Sequence, residues 1–129
     1  MNPDEFLRQA NRLVSQEEVD CRSAISRAYY SLFHEAKIRL ESHHNKEWHQ
    51  LIESDKKLIK DTRNFIPNYH SVVVRLLAKL NKSYGFDYNG FKEKRTQADY
   101  FIRDAFLSER DSKIIIGEID KFIAKIKNI

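Results

Sequence analysis

Five histidines and ten arginines are the side chains of this sequence best suited to chemistry. An imidazole moves protons near neutral pH, and a guanidinium grips phosphate oxygens and the charge that develops on them. Arg27 and His34 stand seven positions apart in a stretch of helical pattern, so they share one face about 10 Å apart along its axis. That gap is wide for direct cooperation but suits the gripping of one extended ligand. A structural reading competes with it, in which Arg27 pairs with an acid such as Asp99 and His34 fills a polar gap near the core. His43, His44 and His49 invite a metal reading. No carboxylate or cysteine completes the spacing of a structural zinc site, so a solvated loop is expected there and no metal or other cofactor is assigned. Tyr29, Tyr30 and Tyr100 read as core or interface rings whose hydroxyls find partners. No Gly-rich phosphate loop, Ser–His–Asp set or paired carboxylates stand out.

These groups must be positioned by helices. From Cys21 to Leu40 the apolar and aromatic residues fall at Cys21, Ile25, Ala28, Tyr29, Leu32, Phe33, Ala36 and Leu40. That is the spacing of one helical face, unbroken by Gly or Pro. Ser15 followed by Glu18 has the form of a capping box, so a central helix is expected from there to about Glu41. Ala24, Ala28 and Ala36 leave room for close neighbours, and Cys21 lies on the apolar stripe as a small hydrophobe. Before it, Asn2, Pro3, Asp4 and Glu5 signal a helix start, and Phe6, Ala10, Leu13 and Val14 give that helix its stripe, ending near Ser15.

After the central helix, residues 42–46 read as a loop. Trp48, Leu51, Ile52, Leu58 and Ile59 suggest a third helix that stops before Pro67, and Asn68 can cap a fourth that carries His70, Val73, Leu76, Leu77 and Leu80. Residues 81–90, with Gly85 and Gly90, read as a turn-rich connection. Phe91, Arg95, Ala98, Tyr100 and Phe101 belong to a further helical segment. Ser108 or Asp111 caps the last helix, whose stripe is Ile115, Ile119, Phe122, Ile123 and Ile126.

Composition agrees with an all-α protein, an antiparallel up-and-down bundle of five or six helices forming a single domain over residues 1–129. The chain has three Gly, two Pro and 33% charged residues, with almost no strand alternation. One cysteine excludes an intrachain disulfide and fits a reducing compartment. No apolar run suits a signal peptide or a membrane span, so a cytoplasmic location is expected. The net charge of +4 favours contact with RNA or an acidic partner but is also ordinary for solubility, and the lysines are scattered.

Three segments together resemble one family. SRAYYSLFHEAK (26–37) is similar to the signature helix of small prokaryotic HEPN-domain proteins, HSVVVRLL (70–77) to their second signature, and KRTQADYFI (94–102) to their arginine…alanine–aspartate–tyrosine segment. The order and rough spacing also match, over most of the chain. The resemblance implies a helical bundle that forms a homodimer. It also implies a metal-independent ribonuclease acting as a toxin or defence effector, often beside a minimal nucleotidyltransferase that neutralises it. The family's catalytic motif is an arginine, four to six residues and a histidine, with a polar residue after the arginine. Carried over, it falls on Arg63, Asn64 and His70, with Pro67 inside a stretch that the family runs continuously into the helix. His70 would move a proton between an RNA 2′-hydroxyl and a leaving oxygen, Arg63 would hold the phosphate, and Asn64, Arg27 and His34 would bind substrate. Spacing alone does not choose this pair, because Arg27 to His34 has the same separation and Arg39 to His44 lies within the permitted range. The alternative is a non-catalytic dimeric helical adaptor for a nucleotide or a nucleotidyltransferase.

Overall fold

The computed structural model describes residues 2–13, 18–100 and 109–129. Six helices appear among them: α1 (Pro3–Leu13), α2 (Glu18–His43), α3 (Asn45–Lys57), α4 (Tyr69–Leu80), α5 (Lys82–Tyr100) and α6 (Glu109–Ile126). The described residues contain no strand, so the chain is an all-α bundle. None of these helices is long and apolar enough to cross a membrane.

The pattern of α2 makes it the axis. Cys21, Ala24, Ile25, Ala28, Tyr29, Leu32, Ala36 and Leu40 are fully buried, and α2 touches all five other helices. Its alanines leave space into which neighbours press, while the larger side chains each gain roughly 1.5–3 kcal/mol from leaving water. Polar contacts fix how the neighbours run. The Ser31 hydroxyl donates to the Pro3 carbonyl and Phe6 lies beside Tyr30, so α1 runs back along α2. Arg22 Nη1 donates to the carbonyls of Gln97 (3.1 Å) and Ala98 (3.0 Å), whereas Tyr29 meets Tyr88. As α2 ascends α5 therefore descends, and Arg22 ties α2 to the last described turn of α5.

Several expected boundaries hold. Asn2 Oδ1 accepts from the Glu5 amide at 2.9 Å, and Asn68 Oδ1 accepts from the Ser71 amide at 3.1 Å, so both caps act as read. Others move. The expected loop at 42–46 shrinks to His44, because α2 runs on to His43 and α3 begins at Asn45. Leu40 and Trp48 are both buried, and the reversal must fit between them. α3 ends at Lys57, where the Leu58 amide turns back to the Asp55 carbonyl, so Leu58 and Ile59 leave the stripe and lie exposed.

The turn-rich reading of 81–90 is overturned. Asn81 alone, extended at φ −159° and ψ 114°, makes the break, and its side chain accepts from the Ser83 amide at 2.9 Å. Gly85 then serves contact rather than turning, since a Cβ there would fall 2.7 Å from Ala78 Cα on α4. Asp111 lies inside α6 and does not cap it. Ser15, Val14, Phe101 and Ser108 lie outside the described residues.

Candidate functional site

Three helices converge on His70. It occupies the first turn of α4, immediately after the Asn68 cap, which aims it at the middle of α2. There its ring stacks on Phe33 with centroids 4.0 Å apart and lies over Tyr29 at 5.7 Å. Nδ1 sits 2.7 Å from the Tyr29 hydroxyl, which in turn sits 3.1 Å from the hydroxyl of Tyr88 on α5. Histidine, tyrosine and tyrosine thus form one hydrogen-bonded chain that leads from the half-buried imidazole into the core.

Helical spacing sets the surrounding charges. Tyr29, Phe33 and Lys37 follow at four-residue intervals on α2, with Tyr30 and His34 beside them, while Tyr88, Lys92, Arg95 and Asp99 follow at three or four on α5. Arg95 Nη2 donates to the Tyr30 hydroxyl at 2.9 Å, and its guanidinium lies over the Tyr30 and Tyr29 rings at 5.3 and 5.8 Å. Its Nε is 2.8 Å from an Asp99 oxygen, and Ser26 donates to the same oxygen at 3.5 Å. Lys37 reaches over the Tyr69 ring at 4.7 Å and pairs with Glu41 at 2.9 Å. His34 stacks on Phe6 with centroids 5.2 Å apart, which agrees with a polar ring filling a gap at the core edge.

The electrostatics follow from this packing. Burial lowers the pKa of His70, and the positive charges of Arg95, Lys92 and His34 add to the effect. Burial and Lys37 lower His34 in the same direction. Both shifts favour the neutral ring. Burial pushes the Tyr29 hydroxyl up to about 12, although its bond to Tyr88 and the charge of Arg95 pull the other way, and burial raises Tyr88 as well. The hydroxyls thus keep their protons, and the chain can point either way. When Nδ1–H donates to Tyr29, Nε2 offers a lone pair; when Tyr29 donates to Nδ1, Nε2 carries the proton.

Other residues singled out from sequence lie elsewhere. Arg63 and Asn64 are exposed in the segment between α3 and α4. The Arg63 side chain is 86% exposed and held in a two-point pair by Asp61, at 3.1 and 3.0 Å. That pairing lowers the Asp61 pKa and raises that of Arg63. Because Pro67 and Asn68 precede the first turn of α4, Arg63 is not carried on the helix that bears His70. Arg27 is exposed on the outer face of α2, and Asp99 pairs with Arg95 in place of Arg27. His43 and His49 are exposed, His44 is half-buried at the α2–α3 junction, and among the described residues no three His, Cys, Asp or Glu side chains cluster to hold a metal. Sequence reasoning passed over Arg95, Lys92 and Tyr88 as site residues. Arg95 stood in the third signature-like segment, but only the pairing of α5 with α2 brings it beside His70.

Compared with protein-family models, with curated proteins and with solved structures, the chain finds no match.

Proposed function

We propose that this protein acts on RNA as a HEPN-like toxin or defence component, with His70 at the centre of a metal-independent cleavage site. The state of His70 supports this reading: a ring anchored by Tyr29, whose neutral form is favoured by burial and by the positive charges of Arg95 and Lys92. A neutral imidazole is the form that can remove a proton, and clustered cations attract the phosphate beside it.

In this reading Nε2 of His70 takes the proton of a ribose 2′-hydroxyl, and the 2′-oxygen attacks the adjacent phosphorus. The bond to the 5′-oxygen breaks, and that oxygen receives the proton back from the imidazolium. The products are a 2′,3′-cyclic phosphate and a 5′-hydroxyl end. Arg63, with Asn64 beside it, grips the phosphate after exchanging Asp61 for a phosphodiester, an easy exchange for a solvent-screened pair. Arg27 and His34 hold the flanking strand. The working form is a cytoplasmic homodimer in which two such sites share a cleft, and a nucleotidyltransferase partner restrains it.

Cellular RNA incubated in EDTA with wild type, Arg63→Ala and His70→Ala tests this. Wild type is expected to cut the RNA despite the chelator. His70→Ala is expected to lose at least roughly 100-fold in rate with its helical circular dichroism intact, and Arg63→Ala to cut more slowly. RNA left whole by all three proteins supports a second reading, a non-catalytic adaptor for a nucleotide or a nucleotidyltransferase. Asp61's hold on Arg63 favours that alternative.

A further inference from the structure

Among the described residues seven large apolar side chains are exposed, and three of them, Leu58, Ile59 and Ile66, fall in the segment between α3 and α4. Leu58 and Ile66 are the most exposed of all, at 85% and 82%. Single apolar residues at a surface are ordinary, but several large ones on one short segment mark a contact. Turn bonds shape the segment, from the Leu58 and Ile59 amides to Asp55 and Lys56 and from the Phe65 amide to Thr62. Because α3 has ended and α4 starts only at Tyr69, no helical face turns these side chains towards the core.

The charges beside them are mostly of one sign. Over residues 56–66, Lys56, Lys57, Lys60 and Arg63 stand against Asp61 alone, and Asp61 is bound by Arg63. Asp55, just before them, is taken by Arg75 at 2.5 Å. The residue types discriminate between occupants. Lysine is depleted at protein interfaces, and leucine is under-represented among the residues that dominate them, where Trp, Tyr and Arg lead. A lipid surface asks for the opposite set: aliphatic side chains that enter the acyl boundary, and lysines whose stems lie along it while their ammonium groups reach lipid phosphates.

We propose that this segment docks the protein on an anionic bilayer, with Leu58, Ile59 and Ile66 entering the headgroup boundary and Lys57 and Lys60 meeting lipid phosphates. None of the described helices is long and apolar enough to cross a membrane, so the contact is one of surface with surface. Arg63 lies inside the same segment, and a bilayer that covers it keeps it from RNA. The docked form and the form that grips RNA therefore exclude each other, as an off and an on state of one site. That switch rests on the RNA reading; the docking itself does not.

Cosedimentation of the full chain with vesicles of phosphatidylcholine, with and without phosphatidylglycerol, tests the docking in the absence of RNA. Wild type is expected to bind the anionic vesicles alone and to be released as salt rises. Leu58→Ser with Ile66→Ser is expected to weaken binding at least about tenfold, and Lys57→Glu with Lys60→Glu at least about tenfold as well. All four side chains are exposed, so thermal melts are expected to stay unchanged. Ile66→Trp is expected to shift its emission to the blue on anionic vesicles, over the constant signal of the buried Trp48. No binding to anionic vesicles overturns the proposal. Binding indifferent to Leu58→Ser with Ile66→Ser overturns it equally, because charge alone or a different face then makes the contact. A protein partner lost with that double variant, from a chain that leaves vesicles alone, assigns the segment to that partner instead. Where wild type cleaves RNA, anionic vesicles are expected to slow it and to spare Leu58→Ser with Ile66→Ser; undiminished cleavage by vesicle-bound protein overturns the switch. Where it cleaves nothing, the vesicle result decides the docking on its own.

Discussion

His70 shows how a single residue acquires a property that its type does not guarantee. A free histidine is half-charged close to neutrality, whereas here burial, Arg95, Lys92 and His34 all favour the neutral ring. The folded pKa therefore lies below the unfolded one, and the unfolded chain binds the extra proton. Stability from this source is complete above the unfolded value near 6.5 and is lost as pH falls through that value towards the folded one. Urea midpoints are expected to drop between pH 7.5 and 5.5 in wild type, and the drop to be shallower in His70→Gln. A slope unchanged by that substitution would place the titrating group elsewhere. His34 shifts in the same direction and leaves part of the slope in place.

At the scale of the element, the glycines separate packing from turning. All three lie in helices, two of them in α5, and none has a positive φ. Gly85 sits where α5 leaves α4, and a Cβ there would press on Ala78. Gly85→Ala is therefore expected to cost roughly 1–3 kcal/mol by overpacking, while Gly117→Ala, with open space around it, is expected to stabilise α6 by about 0.5–1 kcal/mol. Opposite shifts in melting temperature would bear this out, and two gains would refute it. The expected connection at 81–90 failed for the same reason. Glycine and asparagine are common in turns, but Tyr84 and Tyr88 in that segment pack against or within the core, and their burial carries the helix through.

For the whole molecule, α2 is the element on which the rest depend. Helices distant in sequence meet through it: α1, α4, α5 and α6 touch successive parts of its surface. An enlarged side chain at Ala28, which is fully buried, would push neighbours apart together. Ala28→Leu is expected to destabilise by roughly 1–3 kcal/mol, within one cooperative unfolding transition detected alike by circular dichroism and by Trp48 fluorescence. Two separated transitions would mean that the helices about α2 fold independently.

The sequence by itself determined the all-α architecture, the dominance of α2, and the caps at Asn2 and Asn68, because helical periodicity and capping act within a few residues along the chain. His70 was also legible as a candidate. Its surroundings were not. Arg95 lies 25 positions further on and Tyr29 is 41 positions earlier, so only the packing of α4 and α5 against α2 brings the Tyr29 hydroxyl to the ring and a guanidinium over Tyr29. Two pairs are local by contrast, since Asp61 holds Arg63 from two residues away and Asp99 pairs with Arg95 one turn along α5. The division has one physical cause. A repeating pattern reports which face of a helix is buried, but the partner that a buried side chain meets depends on how separate helices stack.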